Sequence, residues 1–198
     1  MGQSMNVSEL KYQRTVMGYH GCDASVVADV LLRGKKLKHS RNDYDWLGHG
    51  VYFWEHGPQR AYDWAKRSKK VRRPAVIGAL INLGVCFDLL DTSHTDLLAA
   101  LFPLYRKTCE DTDTPLPVNL PAGQGDSGDL LLRHLDCAVI NWGLDFMEKE
   151  EKQHYHTVRC LFSEGTPVFE GSRILTKSHV QIAVRDETAI IGYFMPAA

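Results

Sequence analysis

No apolar run in the sequence approaches the roughly 18 to 20 residues that a bilayer-spanning helix needs, and the opening stretch MGQSMNVSELKYQR lacks the apolar core of a secretory signal. Both absences predict a protein that stays where it is made and has no membrane partner. Cysteine is sparse and unpatterned. Cys22, Cys86, Cys109, Cys137 and Cys160 are odd in number and widely spaced, with no Cys-x-x-Cys pair among them. That argues against a disulfide framework and a structural zinc site, and a reducing, cytoplasmic compartment fits best. No internal repeat or low-complexity tract is present. Net charge is nearly missing too: 23 Lys and Arg stand against 24 Asp and Glu, a formal balance of -1. Taken whole, that balance opposes a strong nucleic-acid binder.

What is present is one globular domain's worth of core. The 198 residues are 44% hydrophobic and 24% charged, and they read as a single domain over residues 1–198. The charge is unevenly divided. Up to Ala75 there are 14 basic and 7 acidic residues, and from Val76 onward 9 basic and 17 acidic, so near-neutrality is the sum of two opposed halves.

Thr15 to Gly21 reads as a strand closed by a turn at Gly21. A helix follows, capped by Asp23 or Ser25, with Val26, Val27, Val30 and Leu31 at helical spacing until Gly34. Lys35 to Gly48 is a polar loop. Gly50 to Trp54 is a short β-prone segment, and Gly57-Pro58 ends it before a helix from about Gln59 to Lys70 that Pro74 closes. Ala75 to Leu83 and Val85 to Leu90 read as buried strands. Leucine spacing predicts helices over Thr92 to Lys107 and Leu130 to Phe146, separated by a loop holding Gly123, Gly125 and Gly128. Residues 92–153 thus form a helical insertion, too short on either side to be a domain of its own. Strands return at Thr157 to Phe162, Val168-Phe169, Val180 to Val184 and Ile190 to Phe194. The order predicts an α+β fold with mixed or antiparallel sheets.

Three clusters suggest chemistry. In Tyr19-His20-Gly21 a histidine able to donate or accept a hydrogen bond stands beside a glycine that lets a ligand approach the backbone. In Gly48-His49-Gly50-Val51-Tyr52-Phe53-Trp54-Glu55, glycines flank an aromatic strand, and Tyr52 with Tyr62 of the next helix offers two ring faces for a flat heteroaromatic group. Phe53 belongs to the core, because neighbours on a strand point to opposite faces. In His179-Val180-Gln181-Ile182-Ala183-Val184, three apolar residues mark the core side and leave Gln181 on the other. Each cluster has a plain alternative: a satisfied core histidine, a hydrophobic stripe, a turn-flanking surface residue.

In order and spacing the three clusters resemble the ADP-ribosyltransferase superfamily, in its diphtheria-toxin and poly(ADP-ribose) polymerase branch with a His-Tyr-Glu triad. The resemblance rests on Tyr19-His20-Gly21, on Val30-Leu31-Leu32-Arg33-Gly34 and on Gly48-His49-Gly50-Val51-Tyr52-Phe53, and covers about residues 15 to 75 and 155 to 195. It implies a split β-sandwich and NAD as co-substrate. By the same resemblance His20 holds the adenosine ribose, the Gly21 backbone pairs with the nicotinamide carboxamide, Tyr52 stacks on the nicotinamide with Gly50 clearing space beside it, and Tyr62 or Trp64 supplies the second ring. One departure is chemical: Gln181 stands where the branch carries its catalytic Glu, as in some bacterial His-Tyr-Gln members. A carboxylate both orients the ribose hydroxyl and stabilises positive charge on the ribose, whereas Gln only orients. Glu164 is the candidate general base for the acceptor.

By the resemblance, the acceptor would meet the connection 162–178. The cations lie elsewhere: Arg33, Lys35, Lys36, Lys38 and Arg41, then Lys66, Arg67, Lys69, Lys70, Arg72 and Arg73. Such clusters can track a phosphate backbone, and equally serve the NAD pyrophosphate or solvate a helix end. The chain looks like an intracellular bacterial toxin of the kind paired with an antitoxin, with RNA or DNA as acceptor and a protein side chain as the nearest rival. A non-catalytic NAD or ADP-ribose binding module is the alternative that Gln181 favours. A metal is not expected, since His154-Tyr155-His156 reads as a solvated linker.

Overall fold

The computed structural model describes residues 14–121 and 130–197; the loop glycines Gly123, Gly125 and Gly128 lie outside them. The fold is α+β. Its strands are β1 (Thr15–Asp23), β2 (Val51–Glu55), β3 (Pro74–Asn82), β4 (Cys86–Asp88), β5 (Thr157–Phe162), β6 (His179–Val184) and β7 (Ile190–Phe194). Its helices are α1 (Ala24–Arg33), α2 (Pro58–Arg67), α3 (Thr92–Asp111) and α4 (His134–Glu150). The strands form one mixed sheet in the order β4-β5-β6-β2-β1-β3-β7, parallel at β4–β5 and antiparallel elsewhere.

Local chemistry sets the element ends. Asp23 caps α1 by accepting from the Ser25 N–H at 3.0 Å, and Gly34, at φ 65°, ends the helix in the left-handed conformation that glycine tolerates. Pro58 starts α2, where its missing N–H costs nothing. Three expectations need correction. β1 runs through Gly21 to Asp23 without a turn there, because β3 pairs with it all the way from Thr15 to Asp23. Pro74 opens β3 rather than closing α2, which stops at Arg67. Val168-Phe169 is not a strand: Pro167 lacks an N–H, Gly171 sits at φ 77°, and the pairing stops at the Pro167–Leu175 bridge with its flanking Val168–Ile174 and Thr176–Thr166 bonds.

Two cores hold the sheet. On one side Val27 and Val30 of α1 bury against Phe53, Ile77, Ile81 and Ile182. On the other, Ile140 and Leu144 of α4 bury with Leu47, Phe87, Val158 and Ala183. The helical segment between β4 and β5 therefore supplies part of the core. All five cysteines are free.

The ladder between β1 and β2 decides where a site can open. It holds at Gly18–Glu55 and Tyr19–Trp54 and goes no further, although β1 stays paired with β3 to Asp23 and β2 with β6 back to Val51. The sheet forks beyond Tyr19, with His20 and Gly21 on one tine and Tyr52 and Val51 on the other.

Candidate functional site

His20 stands in the fork. Its Nδ1 lies 2.8 Å from the Tyr52 carbonyl. A carbonyl oxygen can only accept, so Nδ1 carries the proton and Nε2 keeps its lone pair, with no hydrogen bond among the described residues. Burial lowers the His20 pKa, and the bond to Tyr52 offsets part of that fall, so the ring is a neutral acceptor.

The register separates the other residues by face. Tyr52 pairs with Ala183 and Trp54 with Gln181, which puts Tyr52, Trp54, His179 and Gln181 on one side of the sheet with Cys160 and Phe162 of β5. His20 pairs with Ile77 and its ring lies 5.8 Å from that of Phe53, on the opposite side. The structure thus joins His20 to the backbone of Tyr52, while the Tyr52 side chain lies on the face that carries Gln181. The Tyr52 hydroxyl donates to the Gly48 carbonyl at 2.6 Å and accepts from the Leu47 N–H at 2.8 Å, which fixes the ring; burial raises its pKa well above the usual value. Gln181 is half-buried, and its amide has no hydrogen bond among the described residues.

The glycines serve close packing. A Cβ on Gly21 would lie 2.0 Å from the Ala61 carbonyl of α2, and one on Gly50 would lie 2.8 Å from the Val184 carbonyl. Both candidate second rings are exposed, Trp64 at 48% and Tyr62 at 40%, and Trp64 lies beside Trp54 at 6.0 Å. Glu164 pairs with Arg60 at 2.8 Å and Lys177 at 3.7 Å, and lies 3.9 Å from His179 Nδ1. Its carboxylate is therefore committed to cations at the His179 end of the Gln181 face.

Sequence reasoning passed over His179, Trp54 and Arg133. His179 donates Nδ1–H to the Lys177 carbonyl at 2.7 Å, and burial lowers its pKa. The rings of Trp46, Trp54 and Phe162 surround it at 6.1, 6.4 and 5.8 Å, and the Arg133 guanidinium lies over Trp46 at 4.5 Å and Phe162 at 5.1 Å. Trp54 Nε1, His179 Nε2, Arg60 Nε and Arg133 Nε are sealed from solvent without a hydrogen-bond partner. Each such group costs about 1–3 kcal/mol when left unmet. The alternation of His179 and Gln181 across Val180 was the available signal, since i and i+2 share a face.

The opposite side of the same strands carries a buried ion triad. Arg159 donates Nε–H and Nη2–H to Glu55 at 2.6 and 3.0 Å and Nη1–H to Asp88 at 3.0 Å. The hydrogen bonds to Glu55 raise its pKa above the ordinary guanidinium value.

The two cationic clusters differ. Arg33 and Lys35 pair with Asp29, and Lys36 with Glu187. Lys66, Arg67, Lys69, Lys70, Arg72 and Arg73 are exposed and form no ion pair among the described residues. Asp23 anchors their loop to the end of β1 by accepting from the Arg73 and Arg72 N–H groups at 2.8 and 2.9 Å, bonds that hold its carboxyl far below the usual range.

His154, His156 and Asp186 bring ligand-type atoms within 4.8 Å of one another. His156 Nδ1 already accepts from the Val85 N–H at 3.2 Å, and His154 bridges Glu148 and Asp186 at 3.2 and 3.4 Å. The arrangement sets His154 between two carboxylates. Among the described residues no helix is long and apolar enough to cross a membrane.

The two lowered histidines set a direction for pH. Each binds its proton less readily in the fold than at the reference value of 6.5, so acid favours the unfolded chain. Stability should be flat between about pH 7 and 8 and fall as pH drops through 6.5 toward about 5, before carboxylates titrate. Denaturant midpoints across that range measure it, and the His20→Gln variant should flatten the slope. A midpoint that rises on acidification contradicts the assignment.

No protein-family model matches the chain, and no curated protein matches it.

Proposed function

We propose that the protein is an NAD-dependent mono-ADP-ribosyltransferase of His-Tyr-Gln type, built on a split β-sandwich, that transfers ADP-ribose to nucleic acid. The observation that carries this reading is the forked ladder: His20 bridges it with its tautomer fixed and its Nε2 lone pair left for a ribose hydroxyl. The Gly21 and Tyr52 backbones diverge beside it, and the unpartnered Gln181 amide lies on β6 opposite Trp54, on the face that carries the Tyr52 ring.

Each residue has a task in that reading. His20 accepts from the adenosine ribose and Gly21 presents backbone to the nicotinamide carboxamide. Tyr52 offers ring surface with Trp64 or Tyr62 of α2, and Gly50 lets β2 approach β6 closely. Gln181 orients the nicotinamide-ribose hydroxyl while the bond to nicotinamide breaks. No metal takes part. The unpaired cations from Lys66 to Arg73 meet the phosphates of the acceptor.

Replacing Gln181 with Ala should lower nicotinamide release from NAD by about 10²-fold, the scale of losing one orienting donor at a charged transition state. An unchanged rate would sink its assignment. The Gln at this position also favours a second reading, a module that binds NAD without turning it over. Saturable NAD binding with no nicotinamide released by the unaltered protein would select that reading.

A further inference from the structure

Four sealed, unpartnered nitrogens cluster around one residue of the Gln181 face. Trp54 Nε1, Arg60 Nε and Arg133 Nε are donors, and His179 Nε2 is a bare acceptor because Nδ1 spends its proton on the Lys177 carbonyl. Trp54 and His179 are themselves more than nine-tenths buried, at 6% and 8% exposure. A donor N–H and an acceptor nitrogen on neighbouring rings are jointly met by a group that both accepts and donates, which a hydroxyl does. Arg60 and Arg133 are paired through their Nη groups with Glu164 and Asp136, but each keeps a sealed Nε–H with no acceptor, which a phosphate oxygen next to that hydroxyl would meet.

We infer that this ground is the acceptor subsite, that it takes a sugar hydroxyl beside a phosphate on a single-stranded nucleic acid, and that His179 is the general base for transfer. The inference rests on the transferase reading and names its substrate class. Lysine and arginine acceptors find no free carboxylate there, because Glu164 is held by Arg60 and Lys177 and Asp136 by Arg133, and a carboxylate acceptor has no proton to give His179. In the step, the bond from the ribose carbon to the nicotinamide nitrogen breaks and its electron pair leaves with nicotinamide, which departs neutral. The acceptor oxygen bonds to that carbon and its proton passes to His179 Nε2. The imidazolium, 3.9 Å from Glu164, then returns the proton to solvent.

Entry needs a shift of residues 163–176 about Lys177, whose carbonyl stays on His179 Nδ1. Backbone bonds from Lys177 N to Glu164 O, Thr176 N to Thr166 O and Val168 N to Ile174 O close this connection on itself. Among the described residues its ion pairs to the body run through Glu164, to Arg60 and His179. It can therefore move as one piece once Glu164 lets go.

The test follows two products from labelled NAD: free nicotinamide, and label retained by an acceptor. The acceptors are a single-stranded ribo-oligonucleotide, the same oligonucleotide with every sugar hydroxyl methylated, and an arginine- and glutamate-rich peptide. The expected result is label in the free-hydroxyl oligonucleotide alone. His179→Gln should lower the ratio of retained label to released nicotinamide by about 10²-fold, and Trp54→Phe by about 10-fold. Label in the methylated oligonucleotide or the peptide overturns the inference, as does an unchanged ratio in both variants.

Absence of nicotinamide release from the unaltered protein would fail the transferase reading instead. The subsite is then judged by fluorescence anisotropy of the two oligonucleotides, with carba-NAD added. The free-hydroxyl form should bind at least about 10-fold tighter to the unaltered protein, with that preference lost in Trp54→Phe. Equal affinity, or displacement by carba-NAD, assigns the ground elsewhere and overturns it.

Discussion

Replacing Arg159 with Met should destabilise the protein by about 3–5 kcal/mol, because the change strands two carboxylates in the interior. Asp88 is 2% exposed and the Glu55 side chain 11%, and Arg159 is hydrogen-bonded to both. Burying a charge is tolerable only while its partner stays. Neutralising the triad as a whole is a different matter, since an uncharged set of similar volume loses the attraction and the desolvation cost together. The variant Glu55→Gln/Asp88→Asn/Arg159→Met should therefore recover most of the loss. Urea titration at unchanged m-value reads both effects. A single variant within about 1 kcal/mol of the parent would show that water reaches the carboxylates. The triad also matters to the site: it joins β2 to β5 and β4 beneath the strands that carry Trp54 and Gln181 on their other face.

A second large effect is expected from the cationic segment 66–73, which takes in the last turn of α2 and the loop after it. If its six cations each meet a phosphate of a single strand, affinity should fall about 300-fold between 50 and 200 mM salt. Replacing Lys66, Arg67, Lys69, Lys70, Arg72 and Arg73 together with Gln should leave binding weak and nearly independent of salt. Anisotropy of a labelled ribo-oligonucleotide over a salt series gives the slope directly. A six-fold variant with the parent's slope would place the phosphates elsewhere. The contrast with Arg33, Lys35 and Lys36 is informative, because those cations are already paired with Asp29 and Glu187. Their interactions are spent within the fold.

The α+β order, the cap at Asp23, the stop at Gly34 and the long strand from Ala75 were legible in the sequence because each depends on local chemistry: a carboxylate near a free N–H, a residue without a Cβ, a run of β-branched side chains. The fork was not legible. It depends on which strands neighbour which, and nothing in Tyr19-His20-Gly21 reveals that pairing with β2 stops at Tyr19. The face of His20 was hidden for the same reason. Tyr52 and Gln181 could be placed by alternation along their own strands, but the relation of His20 to them needed the register. Val168-Phe169 misled in the other direction, since two β-prone residues outweighed the flanking Pro167 and Gly171. His179 was visible as a letter yet not as a base, because the bare Nε2 follows from a carbonyl supplied by Lys177 in the folded chain.

The short β1–β2 ladder has a mechanical consequence. β1 is held to β3 at every position from Thr15 to Asp23 and to β2 at only two. The strands β1, β3 and β7 thus form one stiff leaf and β2, β6, β5 and β4 another, joined at Gly18–Glu55 and Tyr19–Trp54. What holds the leaves together at His20 is therefore side-chain packing rather than the ladder: Phe53 and Ile182 of one leaf share a buried core with Ile77 and Ile81 of the other, and any change in the gap has to shear that core.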